Sequence, residues 1–168
     1  KLITDRLGDD GYGFANVNAS PEQDKEKQEV AFTFFIDPGR RVYVRRITIS
    51  GNERTRDEVI RREIRQLEGS WYSTAKINRS KVRIDILKYF SAVSVETPAV
   101  ANSTDKVDVN VAVKEKPTGN VMFGLGFSQQ EGIILSGNIS QANIFGTGNH
   151  LALKANTGAV RKLFSLSY

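Results

Sequence analysis

Few side chains in this sequence are able to perform covalent chemistry. His150 is the only histidine among 168 residues, and there is no cysteine. These counts exclude a histidine cluster for metal binding and a thiolate zinc site, and a Ser-His-Asp triad would rest on one isolated histidine. The Gly124-Leu125-Gly126 run resembles a nucleotide loop, but it lies in a predicted strand and no helix follows it to cradle a phosphate. We therefore expect no catalytic site, no metal and no cofactor.

Binding chemistry is the alternative, and Glu68 is the first candidate for it. This acid falls in the last turn of a predicted helix, where the helix dipole disfavours an anion by a few tenths of a kcal/mol. Such a residue is either a solvated acid or part of a binding surface. Trp71 lies three residues further on and is either a core residue or an exposed anchor of an interface.

Basic residues are concentrated between positions 40 and 88, a segment with 14 basic and 6 acidic side chains. Such an excess is found in nucleic-acid-binding surfaces. Acids are interleaved with the basic residues of the first predicted helix, which is typical of an ion-paired helix surface. We therefore expect no nucleic-acid partner.

The distribution of charge divides the chain. Of its 43 charged residues, 24 basic and 19 acidic, only four follow Pro117: Glu131, Lys154, Arg161 and Lys162. Residues 115–119 read Glu-Lys-Pro-Thr-Gly and are predicted to be a linker. The predicted domains are residues 1–39, 40–116 and 117–168.

The first two regions resemble copies of one unit. An offset of 77 residues places Tyr12 on Tyr89, Ala15 on Ala92 and Pro21 on Pro98. The same offset places the alternating apolar residues of 30–36 on those of 107–113. Both copies read helix, strand, loop, strand, and residues 1–39 lack the beginning of the unit.

The complete copy, residues 40–116, reads β-α-α-β-β. Its first strand is predicted at Val42–Ile49, and the alternation slips at Arg45-Arg46, which indicates a bulge. Gly51-Asn52 is a predicted turn. The spacing of Thr55 and Glu58 is that of a capping box and predicts a helix that ends at Gly69. Ile60, Ile64 and Leu67 form the apolar stripe of that helix.

A second helix follows in the same copy and leads into two strands. Ser73 or Thr74 is predicted to cap this helix, which runs to about Tyr89. The strands are predicted at residues 92–97 and 107–113. Two helices on one face of a three-stranded sheet make a small α+β core, near the lower size limit for independent stability.

The last 50 residues predict four amphipathic strands. Val121, Phe123, Leu125 and Phe127 alternate with small or polar residues, and the pattern continues in three later segments joined by glycine-containing turns. Two of the strands have about the 9–11 residues needed to cross a bilayer. The pattern is that of a transmembrane β-barrel with lipid outside. A soluble antiparallel sheet with one buried face has the same alternation.

These features together resemble a known family. "ITISGNERTRDEVIRREI" and "LKYFSAVSV" are similar to POTRA domains, and "RREIRQLEGSW" and "NIFGTGNHL" are similar to POTRA-bearing assembly factors of the bacterial outer membrane. The resemblance implies the end of one POTRA domain, a complete POTRA domain and the first strands of a truncated transmembrane barrel. Four strands cannot close a barrel, and Lys1 begins inside a predicted helix, so we expect a fragment of a longer protein.

The resemblance also implies roles for particular residues. It implies docking of a periplasmic lipoprotein, similar to BamD, at the corner formed by Glu68, Gly69 and Trp71. Unfolded outer-membrane proteins would add a strand to the POTRA edge. That edge consists of Ala92, Val93, Ser94, Val95 and Glu96. The first barrel strand would template incoming strands at a seam, and it consists of Asn120, Val121, Met122, Phe123, Gly124, Leu125, Gly126 and Phe127.

The expected function is therefore assembly and insertion of β-barrel proteins, at the outer membrane with POTRA domains in the periplasm, and outer-membrane lipid is a further partner. Two alternatives remain open at this point. One is a polypeptide-transport pore of the same superfamily. The other is a soluble periplasmic binding module.

Overall fold

A computed structural model describes residues 2–24 and 29–168 of the chain. Lys1, which the sequence places in the first helix, and part of the predicted loop between the first two strands lie outside the described residues. The elements in chain order are α1 (Leu2–Asp9), β1 (Asn16–Asp24), β2 (Glu29–Asp37), β3 (Tyr43–Ser50), α2 (Asp57–Arg61), α3 (Thr74–Ile86), β4 (Phe90–Glu96), β5 (Lys106–Glu115), β6 (Gly119–Ser128), β7 (Gly132–Ile144), β8 (Asn149–Thr157) and β9 (Lys162–Ser167).

The chain divides into two compact units, and each is described by itself. The first unit consists of Lys1–Ser50, Glu63–Arg83 and Ser94–Ala112. The second unit consists of Gly51–Arg62, Ile84–Val93 and Val113–Tyr168.

The first unit begins with α1 and the antiparallel hairpin of β1 and β2. The strand predicted from the alternation at residues 30–36 is confirmed as β2. Asp9, at the end of α1, accepts the Ala75 N–H at 2.6 Å and the Ser73 hydroxyl at 3.3 Å. The carboxylate of α1 therefore helps to cap α3.

A three-stranded sheet of order β3-β5-β4 forms the centre of residues 40–116. β3 and β5 are parallel, and their register shifts between Val44 and Arg46, so the predicted bulge is confirmed. Arg45, the extra residue, extends to the Asp108 carboxylate with Nε and Oδ1 2.8 Å apart. The alternate residues of β5 from Val107 to Val113 are all buried, as their period of two predicts.

The first helix of this region, α2, is shorter than the sequence pattern predicts. α2 ends at Arg61, its N-cap is Arg56, and no side chain caps it, so the predicted capping box is wrong. Ile60 and Ile64 are buried, but Leu67 is 67% exposed and lies outside any helix. The chain leaves the helix early because residues 66–73 form a separate hydrogen-bonded loop, described below.

The second predicted helix begins where the sequence indicated. The Ser73 hydroxyl accepts the Lys76 N–H at 3.3 Å, in the first turn of α3. The helix ends at Ile86 and does not reach Tyr89, because Lys88 has a left-handed φ of 61° that turns the chain into β4.

The second unit contains the antiparallel sheet β6-β7-β8-β9. The four predicted strands are confirmed, and turns join them at the predicted glycines. Phe123 lies opposite Gly137, Leu125 opposite Leu135, and Phe127 opposite Ile133. One face is thus lined by large apolar side chains between 46% and 82% exposed: Val121, Phe123, Leu125, Phe127, Ile133, Leu135, Ile139, Leu153, Phe164 and Leu166.

This sheet is open. Within the part of the chain that the structure describes, β6 and β9 each pair with one neighbour and leave their other edge without a strand. A three-stranded mixed sheet with helices is thus followed by an antiparallel sheet that does not close within the described residues.

We predict that residues 40–116, excised as a fragment, unfold cooperatively, because they contain the three-stranded sheet and both helices. Ile60→Ala should lower the free energy of unfolding by about 3 kcal/mol, since Ile60 is fully buried. A fragment that starts at Gly8 should be about 1 kcal/mol more stable, because it keeps the Asp9 cap. Thermal melting followed by circular dichroism measures each difference, and a broad transition without a baseline would contradict the domain prediction.

Candidate functional site

A buried glutamine organises the corner that contains Glu68, Gly69 and Trp71. Gln66 is 1% exposed. Its Nε2 donates to the Ser70 hydroxyl at 2.8 Å and to the Trp71 carbonyl at 2.9 Å, and its Oε1 accepts the Ser73 N–H at 3.2 Å. The side chain thus fixes the loop from 66 to 73 from inside. Nothing in the sequence pattern indicates this residue, because a glutamine in a predicted helix is ordinarily exposed.

The segment after this glutamine lies along β3. Gly69 donates its N–H to the Val44 carbonyl at 2.7 Å, and Val44 donates to the Ser70 carbonyl at 3.0 Å. Tyr72 donates to the Val42 carbonyl at 3.0 Å. Gly69 has a φ of 74°, which a glycine adopts without strain. The corner therefore covers the first part of the β3 edge that faces away from β5.

The side chain of Glu68 covers the next part of the same β3 edge. Its Oε1 accepts the Ile47 N–H at 2.8 Å, just beyond the bulge of β3. The residue lies in a turn, so its predicted place in the last turn of a helix, and the helix-dipole argument with it, is wrong. Glu68 is nevertheless exposed, and its orientation is fixed by the backbone of β3.

Trp71 is half-buried in an aromatic stack. Its ring lies on the Tyr43 ring, with centroids 4.0 Å apart and planes 22° apart. The Arg41 guanidinium lies 5.4 Å from the Trp71 ring centroid and 5.3 Å from that of Tyr12, within the range of cation–π attraction. The indole is still 43% exposed. The structure therefore places the three corner residues on one short segment, in which Glu68, Gly69 and Trp71 are all exposed.

The predicted POTRA edge strand lies at the outside of its sheet. β4 occupies one end of the order β3-β5-β4, and among the described residues no strand pairs with its other side. Val93 is buried, whereas Ala92, Ser94 and Glu96 are exposed. This edge thus has unpaired backbone groups, in contrast to β3, whose outer edge is partly covered.

After the β4 edge, the outer edge of β6 is the second strand edge without a partner among the described residues. The ladder with β7 fixes which residues of β6 face this edge. Ala142 donates its N–H to the Thr118 carbonyl at 3.2 Å, so these two residues form a hydrogen-bonded pair. In an antiparallel ladder such pairs recur at every second residue. The residues that point their N–H groups at β7 are therefore Asn120, Met122, Gly124 and Gly126. Those that point them at the open edge are Val121, Phe123, Leu125 and Phe127.

The predicted linker is held firmly in the second unit. Lys116 donates its N–H to the Tyr89 carbonyl at 3.0 Å. The Thr118 hydroxyl accepts from Gln141 Nε2 at 2.8 Å and donates to the Ala142 carbonyl at 2.5 Å. Residues 116–118 thus connect the end of β5 to the start of β6, and hydrogen bonds hold both ends of the connection.

Glu115 ends β5 with a carboxylate that binds backbone donors. It accepts the Thr55 N–H at 2.7 Å and the Arg54 N–H at 3.0 Å. Burial on its own raises the pKa of the Glu115 carboxyl. The hydrogen bonds from the Thr55 side chain and from the two N–H groups outweigh burial and hold the pKa below its ordinary value of 4.5. Glu115 therefore stabilises the loop before α2 in its ionised form.

In residues 2–24 and 29–168, no helix has the length and hydropathy to cross a bilayer. Within the same residues, no three His, Cys, Asp or Glu side chains converge as a candidate metal site.

Known proteins resemble the chain over its length. A family model for POTRA, described as surface antigen variable number repeat, matches residues 42–116. Outer membrane protein assembly factor BamA of Neisseria meningitidis serogroup B is 40% identical over 166 residues, which cover 99% of this chain and 21% of that protein. BamA of Nitratidesulfovibrio vulgaris is 35% identical over 168 residues, which cover 100% of this chain and 21% of that protein.

A solved structure agrees with the sequence comparisons. The crystal structure of BamA from Haemophilus ducreyi lacking POTRA domains 1–3 matches with a TM-score of 0.84 and 38% identity, over 94% of this chain and 30% of that one. The chain therefore spans about a fifth of the length of the curated relatives it matches.

We predict that Glu115→Gln destabilises the 40–116 fragment by about 1 kcal/mol at pH 7, because a charge-assisted bond becomes a neutral one. Since the folded-state pKa is lowered, the stabilisation is present above the ordinary value of 4.5 and is lost as the pH falls through the folded-state pKa. The difference in melting temperature between the two proteins should therefore shrink in acid. A difference that stays constant from pH 7 to pH 3 would contradict this role for Glu115.

Proposed function

Because the chain belongs to the BamA family of outer membrane protein assembly factors, we propose that it takes part in assembling and inserting β-barrel proteins in the bacterial outer membrane. The observation that carries the proposal is the four-stranded sheet. It follows the POTRA-matched residues directly, exposes one apolar face and, among the residues that the structure describes, has no strand beside the outer edge of β6. The mechanism we propose is binding and templating, without covalent catalysis.

The apolar face of this sheet fits contact with lipid. Its large side chains are exposed, whereas the opposite face carries mostly small or polar residues, among them Ser136, Asn138 and Asn156, with Met122, Ile134 and Leu163 as apolar exceptions. In a membrane barrel the first face meets acyl chains and the second faces the lumen. We propose that β6 to β9 are the first strands of such a barrel, with the POTRA domain in the periplasm.

The open edge of β6 supplies the templating surface in this proposal. Its free donors belong to the same residues whose side chains face lipid, so an incoming strand would pair with β6 while remaining at the membrane. Hydrogen bonds made by the backbone do not depend on the client's sequence, which suits a factor that acts on many clients. Gly124 and Gly126 weaken the strand and leave space on its lumen side.

The β4 edge is proposed to bind unfolded clients earlier, in the periplasm. Strand addition needs a row of unpaired N–H and C=O groups, and β4 has such a row. The β3 edge is less suited, because the segment from Glu68 to Tyr72 covers it.

The corner of Glu68, Gly69 and Trp71 is proposed to dock a periplasmic lipoprotein that presents a basic patch. Supporting this assignment, Glu68 is an exposed residue whose Oε1 is held by the Ile47 N–H, and Trp71, three residues further on, is 43% exposed. An oriented charge next to an aromatic anchor is a common arrangement in protein interfaces.

We predict that Glu68→Lys in the intact protein weakens this lipoprotein complex by about 2 kcal/mol or more, roughly 30-fold in Kd, because repulsion replaces attraction. Glu68→Gln keeps an oxygen for the Ile47 N–H and separates the role of charge from that of the hydrogen bond. Titration of the purified partner onto each variant measures the affinities.

Glu53→Lys is the matched control, since it makes the same charge change at another exposed acid. It should leave the affinity unchanged. Equal affinities for Glu68→Lys and Glu53→Lys would show that Glu68 is a solvated acid whose role is confined to β3.

We predict that proline at Leu125 blocks client assembly while the protein still reaches the membrane, because proline removes a donor from the open edge of β6. Leu125→Ile should be nearly silent, since lipid does not discriminate closely between apolar shapes. Proline at Met122 is the control for the other side of the strand. It removes a donor to β7 and should destabilise the barrel itself.

Cysteine crosslinks between β6 and a stalled client test the pairing directly. They should form at several positions from Asn120 to Ser128. If crosslinks form only elsewhere on the barrel, β6 is not the templating strand.

A further inference from the structure

The turn between β7 and β8 is bound to the loop before α2. Asn143 Nδ2 donates to the Thr55 hydroxyl oxygen at 2.8 Å, and Arg56 donates its N–H to the Gly146 carbonyl at 3.0 Å. Thr55 is 3% exposed, and its hydroxyl lies in the interior of the second unit, where it bonds both Asn143 and the Glu115 carboxylate. Residues 51–56 and 143–148 are thus joined by a side-chain bond and a backbone bond.

The turn is also fixed within itself. Asn143 Oδ1 accepts the Gly148 N–H at 2.8 Å, so both ends of one amide are bonded, one within the turn and one to the loop. Asn143 and Phe145 have left-handed φ values of 57° and 52°. This conformation is unfavourable for residues other than glycine, and it persists where the surroundings fix it.

Gly146 packs directly against the backbone of the loop before α2, with no room for a side chain. A Cβ at this position would overlap the Arg54 carbonyl oxygen, which belongs to the backbone and cannot rotate away. Gly132, in the turn between β6 and β7, has a similar φ of 63° but meets no atom within 4 Å of its Cβ position. The requirement for glycine at 146 therefore comes from the contact as well as from the backbone conformation.

The same loop is held from its other side by β5. Glu115 binds the Arg54 and Thr55 N–H groups, and Tyr89 donates its hydroxyl to the Gly148 carbonyl at 3.1 Å. The chain passes from Glu115 through the tied segment 115–119 into β6. The loop is thus bonded to the strand that leads into β6 and to the turn that follows β7.

From these contacts we infer that residues 51–56 and 143–148 form a latch, in which Thr55, Asn143 and Gly146 are positioning residues. The latch fixes the start of the four-stranded sheet to the loop of the POTRA region and so sets the direction of the open β6 edge. The part that concerns the β6 edge rests on the proposed function; the latch itself does not.

The test uses the intact protein in lipid vesicles with spin labels at Asp85 and Gln129, both exposed residues of the second unit. Gly146→Ala should broaden the distribution of distances between the labels and slow assembly of a client barrel by about tenfold or more. Gly132→Ala carries the same change in backbone preference without the overlap, and both readouts should match the unsubstituted protein.

A second pair of variants, at Thr55, keeps the test decisive if Gly146→Ala fails to fold. Thr55→Val removes the hydroxyl that binds both Asn143 and Glu115, and it should act in the same direction as Gly146→Ala because both bonds hold residues 51–56. Thr55→Ser restores the hydroxyl and should rescue both readouts.

The outcomes separate the two parts of the inference. A narrow distance distribution in Gly146→Ala and Thr55→Val would overturn the latch. A broad distribution with an unchanged assembly rate would overturn its role in positioning β6. If the unsubstituted protein assembles no client, the proposed function fails, while the distances still decide whether the latch exists.

Discussion

Every strand edge carries N–H and C=O groups that need partners, and the arrangement of this chain follows from how those groups are satisfied. The β3 edge receives backbone partners from Gly69 to Tyr72 and a carboxylate from Glu68. The loop before α2 receives a carboxylate from Glu115. The β4 and β6 edges receive no strand within the described residues. The β3 edge is therefore covered, whereas the β4 and β6 edges have no neighbouring strand among the residues that the structure describes.

Polar side chains that bind backbone recur throughout, and they explain which features were predictable from the sequence. The alternation in β5 and in β6 to β9, and the bulge at Arg45, depend on a period of two that any short window reveals. The corner around Gln66 depends on partners at positions 70, 71 and 73 that form only once the chain has left its helical path. The helical pattern through Leu67 cannot indicate that the helix ends early. The hydrogen bonds that compete with the helix are those of Gln66 within the loop of residues 66–73.

Thr55 shows the same limit over a longer distance. Its spacing from Glu58 suits a capping box, but its hydroxyl binds Asn143, 88 residues away. Local sequence predicts the chemistry of the residue, which is a hydroxyl that accepts an N–H, and leaves its partner open. The corner residues Glu68, Gly69 and Trp71 were likewise predicted as a group, while the internal bond of Glu68 to Ile47 was not.

The carboxylate of Asp9 has a consequence for how such arrays can be rearranged. It caps α3 from the preceding region of the chain, at 2.6 Å from the Ala75 nitrogen. The repeat predicted from the sequence begins at residue 40, whereas the residues that complete its second helix begin at Asp9. Recombination that exchanged one module for another at residue 40 would separate a helix from its cap, whereas a junction ahead of Gly8 would transfer both together. A segment that is exchanged together with this cap is thus longer than the predicted repeat and starts ahead of residue 40.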